Sequence, residues 1–341
     1  MRDPAQAHNH GVYLKDSVVE ELLGSPEQWS FVDATSDALF RVGAGGVRAL
    51  LETRDGKLEF VCFEERVLAH VKSALGYPAY YELHRARPHP PLKAVLMDLD
   101  GTTVRSEKFW IWMIEKSVAS LLGDADFELE AADEPYVSGH SVSEHLQHCI
   151  AKYCPDKSLR AAREHYARHT RREMRELLAG RGRRGCFSPT PGLRDFLTRL
   201  KDLGLKIALV TSGLHEKAWP EIVDAFRTLG MGEPQEFYDA IVTAGHAIRP
   251  GEAGTLGELS PKPHPWLYAE AAAVGLNIAA ADRQRVIGIE DSGAGIAALR
   301  LAGFAAVGLA GGNIAESGMM PLCNRHCSGL DEVLAYIEEL V

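Results

Sequence analysis

Residues 94 to 104 of this 341-residue chain restrict its fold more than any other stretch, because an apolar run ends there in two carboxylates. Asp98 and Asp100 close the run and are followed at once by Gly101. A nearly continuous apolar run is typical of a strand that is buried on both faces of a parallel sheet. Ligands of such sheets bind beyond the carboxyl ends of the strands, so we expect the two acids to lie where chemistry takes place.

Apolar runs and helical patterns alternate along the chain from residue 187 onward. The runs predict strands at 206–210, 238–242, 285–289 and 305–309, and the helical patterns lie at 191–203, 215–230, 265–274, 295–302 and 330–340. Strands that alternate with helices form a parallel sheet with helices on both faces. The sequence therefore predicts an α/β fold with a doubly wound parallel sheet.

A helical region separates the strand that ends at Asp98 from the later strands. The apolar spacing predicts helices at 109–122, 141–153 and 158–178. Ser141, with Glu144 three residues later, has the pattern of a capping box, which favours a helix start at this position.

The first 87 residues predict a small α+β module. Residues 18–23 have helical spacing, and two apolar runs at 47–52 and 58–63 are joined across Asp55-Gly56, a strong hairpin signal. Residues 64–75 carry apolar side chains at helical spacing, which predicts a second helix. No catalytic cluster stands out in this region, so we expect a structural or interaction role.

Composition argues against two classes of partner. The net charge is −10 and the pI about 5.8, whereas nucleic-acid-binding proteins present a strong basic surface. No stretch approaches the roughly 18 apolar residues of a membrane span, and the first ten residues lack the apolar core of a secretory signal. The six cysteines are scattered, which favours free thiols. We expect a cytoplasmic protein with no nucleic-acid or membrane partner. The sequence makes no prediction of the oligomeric state.

Polar side chains stand at the carboxyl ends of three predicted strands, and a lysine lies in a proline-rich turn before a helix. The residues are Asp98, Asp100, Thr211, Ser212, Glu290, Asp291 and Lys262. The set suits phosphoryl transfer through an aspartate, which needs an in-line nucleophile and neutralisation of charge on the phosphoryl oxygens. Asp98 would attack phosphorus and form an aspartyl phosphate. Asp100 would protonate the leaving oxygen and then deprotonate the attacking water.

The charge of the phosphoryl group would be balanced by a metal ion and by Lys262. Magnesium prefers oxygen ligands and keeps several of its waters. We expect Asp98, the main-chain carbonyl of Asp100 and Asp291 to bind it, with assistance from Glu290. The residues expected to bind the phosphoryl group are Gly101, Thr211, Ser212, Gly213 and Lys262.

Four short motifs resemble those of the haloacid dehalogenase-like (HAD) hydrolases, and they follow in the order that this superfamily has them. They are Asp98-Leu99-Asp100-Gly101-Thr102-Thr103, Val210-Thr211-Ser212-Gly213, Lys262 within Pro-Lys-Pro, and Gly288-Ile289-Glu290-Asp291-Ser292. The resemblance covers about residues 92 to 341. It implies magnesium as cofactor and the same roles for Asp98, Asp100, Thr211, Lys262, Glu290 and Asp291.

The resemblance also divides the chain. Residues 106–186 have the place and size of the superfamily's helical cap, and Ser106-Glu107 looks like the beta-phosphoglucomutase-like branch. The predicted domains are the N-terminal module at 1–87, a Rossmann-like catalytic core at 88–105 and 187–341, and the inserted cap at 106–186. Arg105 departs from the pattern, since relatives often have an acidic residue there.

The leading hypothesis is a magnesium-dependent phosphatase that hydrolyses a small phosphorylated metabolite, with sugar phosphates among the candidates, through an aspartyl phosphate. A second is a phosphomutase of the beta-phosphoglucomutase type, which returns the phosphoryl group to the sugar. A third is a binding or regulatory protein on the same scaffold, against which the intact Asp98, Thr211 and Lys262 count. Asp100 argues against the phosphonate and dehalogenase branches, which lack a second acid.

Overall fold

The computed structural model describes residues 18–25, 28–72, 78–136, 142–183, 185–244 and 261–341. The helix cap predicted at Ser141 lies outside these ranges. The described residues form two compact units. The first comprises those within 1–98, 195–212 and 238–341, and the second comprises those within 99–194 and 213–237.

The described elements begin with a short helix and five strands, after which strands and helices alternate. The strands are β1 (Ser30–Phe31), β2 (Ala49–Glu52), β3 (Leu58–Cys62), β4 (Val67–Val71), β5 (Ala79–Glu82), β6 (Ala94–Asp98), β7 (Val104–Arg105), β8 (Ser188–Pro189), β9 (Lys206–Leu214), β10 (Ala240–Ala244), β11 (Val286–Glu290), β12 (Ala305–Leu309) and β13 (Arg325–Cys327). The helices are α1 (Val18–Leu23), α2 (Glu107–Leu122), α3 (Val142–Tyr153), α4 (Leu159–Leu178), α5 (Leu193–Asp202), α6 (His215–Leu229), α7 (Pro234–Phe237), α8 (Trp266–Glu270), α9 (Gly293–Leu301), α10 (Ile314–Ser317) and α11 (Leu330–Glu338).

Strands β1 to β5 form an antiparallel sheet in chain order within the first unit. At the turn between β2 and β3, the N–H of Gly56 donates to the carbonyl of Thr53 at 2.9 Å, and Gly56 has a φ of +67°. Glycine adopts a positive φ without steric cost. The hairpin predicted from Asp55-Gly56 is confirmed.

The prediction of a helix over residues 64–75 is wrong, because residues 67–71 form strand β4. Val71 of this strand lies opposite Leu58 of β3 and Ala79 of β5. Val67 and Val71 are four residues apart, a spacing that a helix and a strand both place on one face. Hydrogen bonding to two neighbouring strands and the β-branched side chains favour the strand.

The second sheet of the first unit has the strand order β10-β9-β6-β11-β12-β13. β6 pairs in parallel with β9 on one side and β11 on the other, and β12 and β13 continue in parallel. The strand order reverses at β6, and ligands of α/β proteins bind at such a reversal, beyond the carboxyl ends of the strands. The predicted α/β fold with a doubly wound parallel sheet is confirmed.

One hydrophobic core joins the two sheets of the first unit. Leu58 and Phe60 of the antiparallel sheet belong to the same buried cluster as Leu96 of β6, Leu267 of α8 and Leu299 of α9. The N-terminal strands are therefore packed as part of the unit that contains the parallel sheet.

The second unit is mainly helical. α4 packs against α2, α3 and α6, and β7 and β8 form a short antiparallel pair. Oγ of Ser158 accepts a hydrogen bond of 3.2 Å from the N–H of Ala161 at the start of α4, as serine does at a helix N-cap. The helices predicted between 106 and 186 are confirmed. None of the helices in the described ranges is long and apolar enough to span a bilayer. All six cysteines are free, as predicted.

Candidate active site

Asp98 is the last residue of β6, and its carboxylate contacts the ammonium group of Lys262. β6 is buried over its whole length, so Asp98 is held at the end of the strand with 6% of its surface exposed. Nζ of Lys262 also donates to Oε1 of Glu290 at 2.7 Å and to the carbonyl of Val210 at 3.3 Å. A buried cation thus lies between carboxylates from two neighbouring parallel strands.

The charge of Lys262 is set by these contacts. Its side chain is only 7% exposed, and burial by itself lowers the pKa of an ammonium group. The charges of Asp98 and Glu290 outweigh burial and raise the pKa of Lys262 above its ordinary value. Lys262 therefore stays a cation near neutral pH and can offset negative charge in the site.

Glu290 ends strand β11 and is fully buried. Its Oε1 accepts from Lys262 and, at 2.5 Å, from the hydroxyl of Tyr268. Its Oε2 accepts from the hydroxyl of Ser292 at 2.9 Å. Each oxygen of the buried carboxylate therefore has a donor, as a buried charge requires.

Helix α9 starts directly beside Glu290. Oγ of Ser292 accepts a hydrogen bond of 3.1 Å from the N–H of Gly295 and so caps the helix. A Cβ atom at Gly295 would overlap the carboxylate of Glu290. Only glycine at this position allows the first turn of the helix to lie so close to the acid.

Three carboxylates of the described residues are close enough to share a cation. Oxygens of Asp98, Glu290 and Asp291 lie within 4.8 Å of one another. The carboxylates outnumber the ammonium group of Lys262, and carboxylate oxygens are ligands that magnesium prefers. The donor set therefore fits the predicted magnesium ion.

Thr211 and Ser212 follow Val210, which lies opposite Asp98 in the parallel pairing of β9 with β6. Thr211 is buried, and Oγ of Ser212 accepts a hydrogen bond of 3.2 Å from the N–H of Lys262. The strand was expected to end at Val210, but β9 runs to Leu214 and includes Thr211, Ser212 and Gly213 of the predicted phosphate-binding residues. Continued extended backbone carries these polar groups past the end of β6.

Asp100, Gly101 and Gly213 belong to the second unit. Asp100 is exposed, and its Oδ1 accepts a hydrogen bond of 2.6 Å from the hydroxyl of Ser106. Gly101 has a φ of +81°, and its N–H donates to the carbonyl of Val104 at 2.7 Å. The tight turn within the first motif therefore needs a glycine at this position.

Within the first unit, the structure brings Asp98, Ser212, Lys262, Glu290 and Asp291 into one cluster. Sequence reasoning assigned no role to Tyr268, Ser292 or Ser106. Ser292 could have been found as a helix cap, because a serine precedes a glycine-rich helix there. The sequence gives no such signal for Tyr268, since a tyrosine in a short apolar helix is expected to be an ordinary residue of the hydrophobic core.

Residues 92–303, more than half of the chain, match the model of the haloacid dehalogenase-like hydrolase family. The chain therefore belongs to the haloacid dehalogenase-like hydrolases. No curated protein sequence matches it.

Solved structures share the fold at low sequence identity. A predicted phosphoglycolate phosphatase from Haemophilus somnus 129PT is 16% identical with a TM-score of 0.52, over 72% of this chain and 97% of that chain. A HAD-superfamily hydrolase, subfamily IA, variant 1, from Geobacter sulfurreducens PCA is 13% identical with a TM-score of 0.51, over 74% and 99%.

Proposed function

We propose that this protein is a magnesium-dependent phosphatase that hydrolyses a small phosphorylated metabolite, such as a sugar phosphate, through an aspartyl phosphate. The observation that carries the proposal is the buried contact of Lys262 with Asp98 and Glu290, with Asp291 in the same carboxylate cluster. Membership of a hydrolase family supports the reaction class.

The first step forms a bond between a carboxylate oxygen of Asp98 and phosphorus, and breaks the bond from phosphorus to the ester oxygen. Asp100 gives its proton to the departing oxygen, which leaves as an alcohol. In the second step Asp100 takes a proton from water, the water oxygen attacks phosphorus, and phosphate leaves Asp98. Asp100 is then protonated again, so the two steps balance.

The remaining residues hold the reacting groups. Lys262 offsets charge that builds up on the phosphoryl oxygens, and Thr211, Ser212 and Gly213 supply hydroxyl and N–H donors to them, while Gly101 shapes the turn that follows Asp98 beside the phosphoryl group. A magnesium ion held by Asp98, Glu290, Asp291 and the main-chain carbonyl of Asp100 would supply further positive charge when bound. Fixed charges in a buried site act more strongly than in water.

We also propose that residues 106–186 act as a cap over a core of residues 88–105 and 187–341, with residues 1–87 as an N-terminal module. A cap that closes over a substrate excludes bulk water and carries much of the specificity. The cytoplasmic location stays a prediction.

The test is phosphate release from a panel of phosphorylated metabolites, with and without Mg²⁺. Asp98→Asn would run alongside, with Asp282→Asn as control, since Asp282 pairs with Lys93 and Arg285 outside the cluster. We expect metal-dependent release that Asp98→Asn abolishes and Asp282→Asn keeps. Release that survives in Asp98→Asn would refute the mechanism. Isomerisation of a sugar phosphate without release of phosphate would indicate the phosphomutase instead. The absence of any turnover would indicate the binding or regulatory protein.

A further inference from the structure

The side chain of Tyr81, on strand β5, contacts the segment that carries Lys262. Its hydroxyl oxygen lies 2.8 Å from Nδ1 of His264 and accepts a hydrogen bond of 3.2 Å from Nε1 of Trp266. His264 and Trp266 follow Lys262 by two and four residues. All of these residues belong to the first compact unit.

The register of β5 explains why Tyr81 and not its neighbour makes this contact. Tyr80 lies opposite His70 and Tyr81 opposite Ala69, and successive residues of a strand point to opposite faces. The hydroxyl of Tyr80 donates to Oδ2 of Asp37 at 2.8 Å, within the antiparallel sheet. Tyr81 packs instead against the core that the two sheets share.

The donor and the acceptor in each hydrogen bond of Tyr81 can be assigned. The indole N–H of Trp266 is only a donor, so the Tyr81 oxygen accepts from it and its own O–H points to His264. His264 is buried, with 1% of its surface exposed, and burial lowers the pKa of its imidazole. We therefore assign Nδ1 of a neutral His264 as the acceptor.

The turn around Lys262 is fixed from two sides. The main-chain N–H of Lys262 donates to Oγ of Ser212, and that of His264 donates to the carbonyl of Pro261 at 3.0 Å. Tyr81 holds the other side of the turn through His264 and the first residue of helix α8. Two residues into that helix, Tyr268 reaches Glu290.

We propose that Tyr81 is a positioning residue through which the N-terminal sheet holds the turn of Lys262 in the active site. Tyr81 lies outside residues 92–303, which match the family model. The N-terminal module thus supports Lys262 from outside the residues that match the family model. The effect on turnover rests on the proposed function, whereas the effect on the environment of Lys262 does not.

The test compares Tyr81→Phe with Tyr80→Phe in the full chain. Each variant removes one tyrosine hydroxyl from strand β5, and each of these hydroxyls has a hydrogen-bond partner. The two variants are therefore matched in the chemical change and in its position on the strand. Two quantities are measured. One is kcat and KM for phosphate release, and the other is the rate at which acetic anhydride acetylates Lys262, followed by mass spectrometry.

We expect Tyr81→Phe to lower kcat about tenfold with little change in KM, since loss of the donor leaves a buried acceptor unsatisfied and loosens the turn. Acetylation of Lys262, slow in the wild type because the side chain is 7% exposed, should be several times faster in Tyr81→Phe. Tyr80→Phe should match the wild type in both quantities while unfolding at the same temperature as Tyr81→Phe.

Equal acetylation of Lys262 in the two variants would overturn the role of Tyr81. A wild-type protein that releases no phosphate from any substrate would overturn the proposed function instead. The acetylation comparison would still decide the positioning role in that case, because it needs no turnover.

Discussion

The hydroxyl of Tyr268 donates a hydrogen bond of 2.5 Å to Oε1 of Glu290, the same oxygen that accepts from Lys262. Tyr268 is fully buried, and burial together with the charge of Glu290 raises the pKa of Tyr268 well above its ordinary value. The phenol therefore stays protonated and remains a donor. The tyrosine fixes the carboxylate that in turn fixes the lysine.

We expect Tyr268→Phe to lower the free energy of unfolding by about 1–2 kcal/mol and kcat about tenfold, because the charged acceptor loses a donor while Lys262 stays. Urea unfolding and phosphate release measure the two effects. Tyr336→Phe is the matched control, since that ring packs on Arg325 in the same unit. Activity equal to the wild type in Tyr268→Phe would show that Lys262 and Ser292 fix Glu290 without the tyrosine.

Asp100→Asn tests the general acid. The variant cannot give a proton to the leaving oxygen, so we expect kcat to fall by about two to four orders of magnitude for alkyl phosphates. The loss should be much smaller for an aryl phosphate with a nitro group, whose leaving oxygen needs no proton. Equal losses for the two substrates would contradict the acid role.

Ser106 supports this acid through the 2.6 Å hydrogen bond to Asp100. Substitution of Ser106 changes the surroundings of Asp100 without removing its carboxyl group. In Ser106→Ala the acid remains but loses one partner, so activity on alkyl phosphates should fall by less than in Asp100→Asn.

Asp291→Asn tests the metal site. Loss of one carboxylate from the cluster with Asp98 and Glu290 weakens the electrostatic attraction for a divalent cation. We expect the Mg²⁺ concentration for half-maximal activity to rise at least tenfold. Chelation with EDTA should abolish wild-type activity, and added Mg²⁺ should restore it. Asp282→Asn should keep the wild-type requirement, and a shift of the same size there would point to a general charge effect.

Asp133 in the second unit makes the stability of the folded state depend on pH, and this dependence does not involve the active site. Burial alone would raise the pKa of Asp133, but hydrogen bonds from Tyr153, His148 and Lys152 lower it to about 2. A carboxylate with a lowered pKa stabilises the folded state above its ordinary pKa, here 3.8, and this contribution is lost as the pH falls toward 2.

Asp133→Asn should therefore lower the free energy of unfolding by about 1–2 kcal/mol at neutral pH. The difference from the wild type should shrink as the pH falls from 3.8 to 2. Denaturant titrations across this range measure it. The control is Asp156→Asn, because Asp156 is 72% exposed. A difference for Asp133→Asn that stays constant with pH would mean that packing, and not charge, is responsible.

The parallel sheet and the cluster around Asp98 could be predicted because local sequence carries both. β6 is an apolar run up to Asp98, and the polar residues at the carboxyl ends of β6, β9 and β11 stand at chain positions that a parallel sheet brings to one edge. The four motifs also have a fixed order. Little tertiary information is needed to recognise them.

The N-terminal sheet shows where local sequence is insufficient. Val67 and Val71 fit a helix as well as a strand, and their pairing with β3 and β5 decided between the two. The contact of Tyr81 with His264 joins residues 183 positions apart. The sequence around a tyrosine in an edge strand does not indicate that its side chain contacts a distant turn. Neither strand β5 nor the role of Tyr81 could therefore be predicted.

The buried cluster that contains both Phe60 and Leu96 bears on how such a chain can diverge. An appended domain with its own core can be lost or exchanged between related genes without harm to its neighbour. Here deletion of the N-terminal strands would leave apolar side chains of the remainder without their packing partners. The two sheets of this chain therefore depend on each other for packing, and a substitution on one side of the shared core restricts which substitutions the other side tolerates.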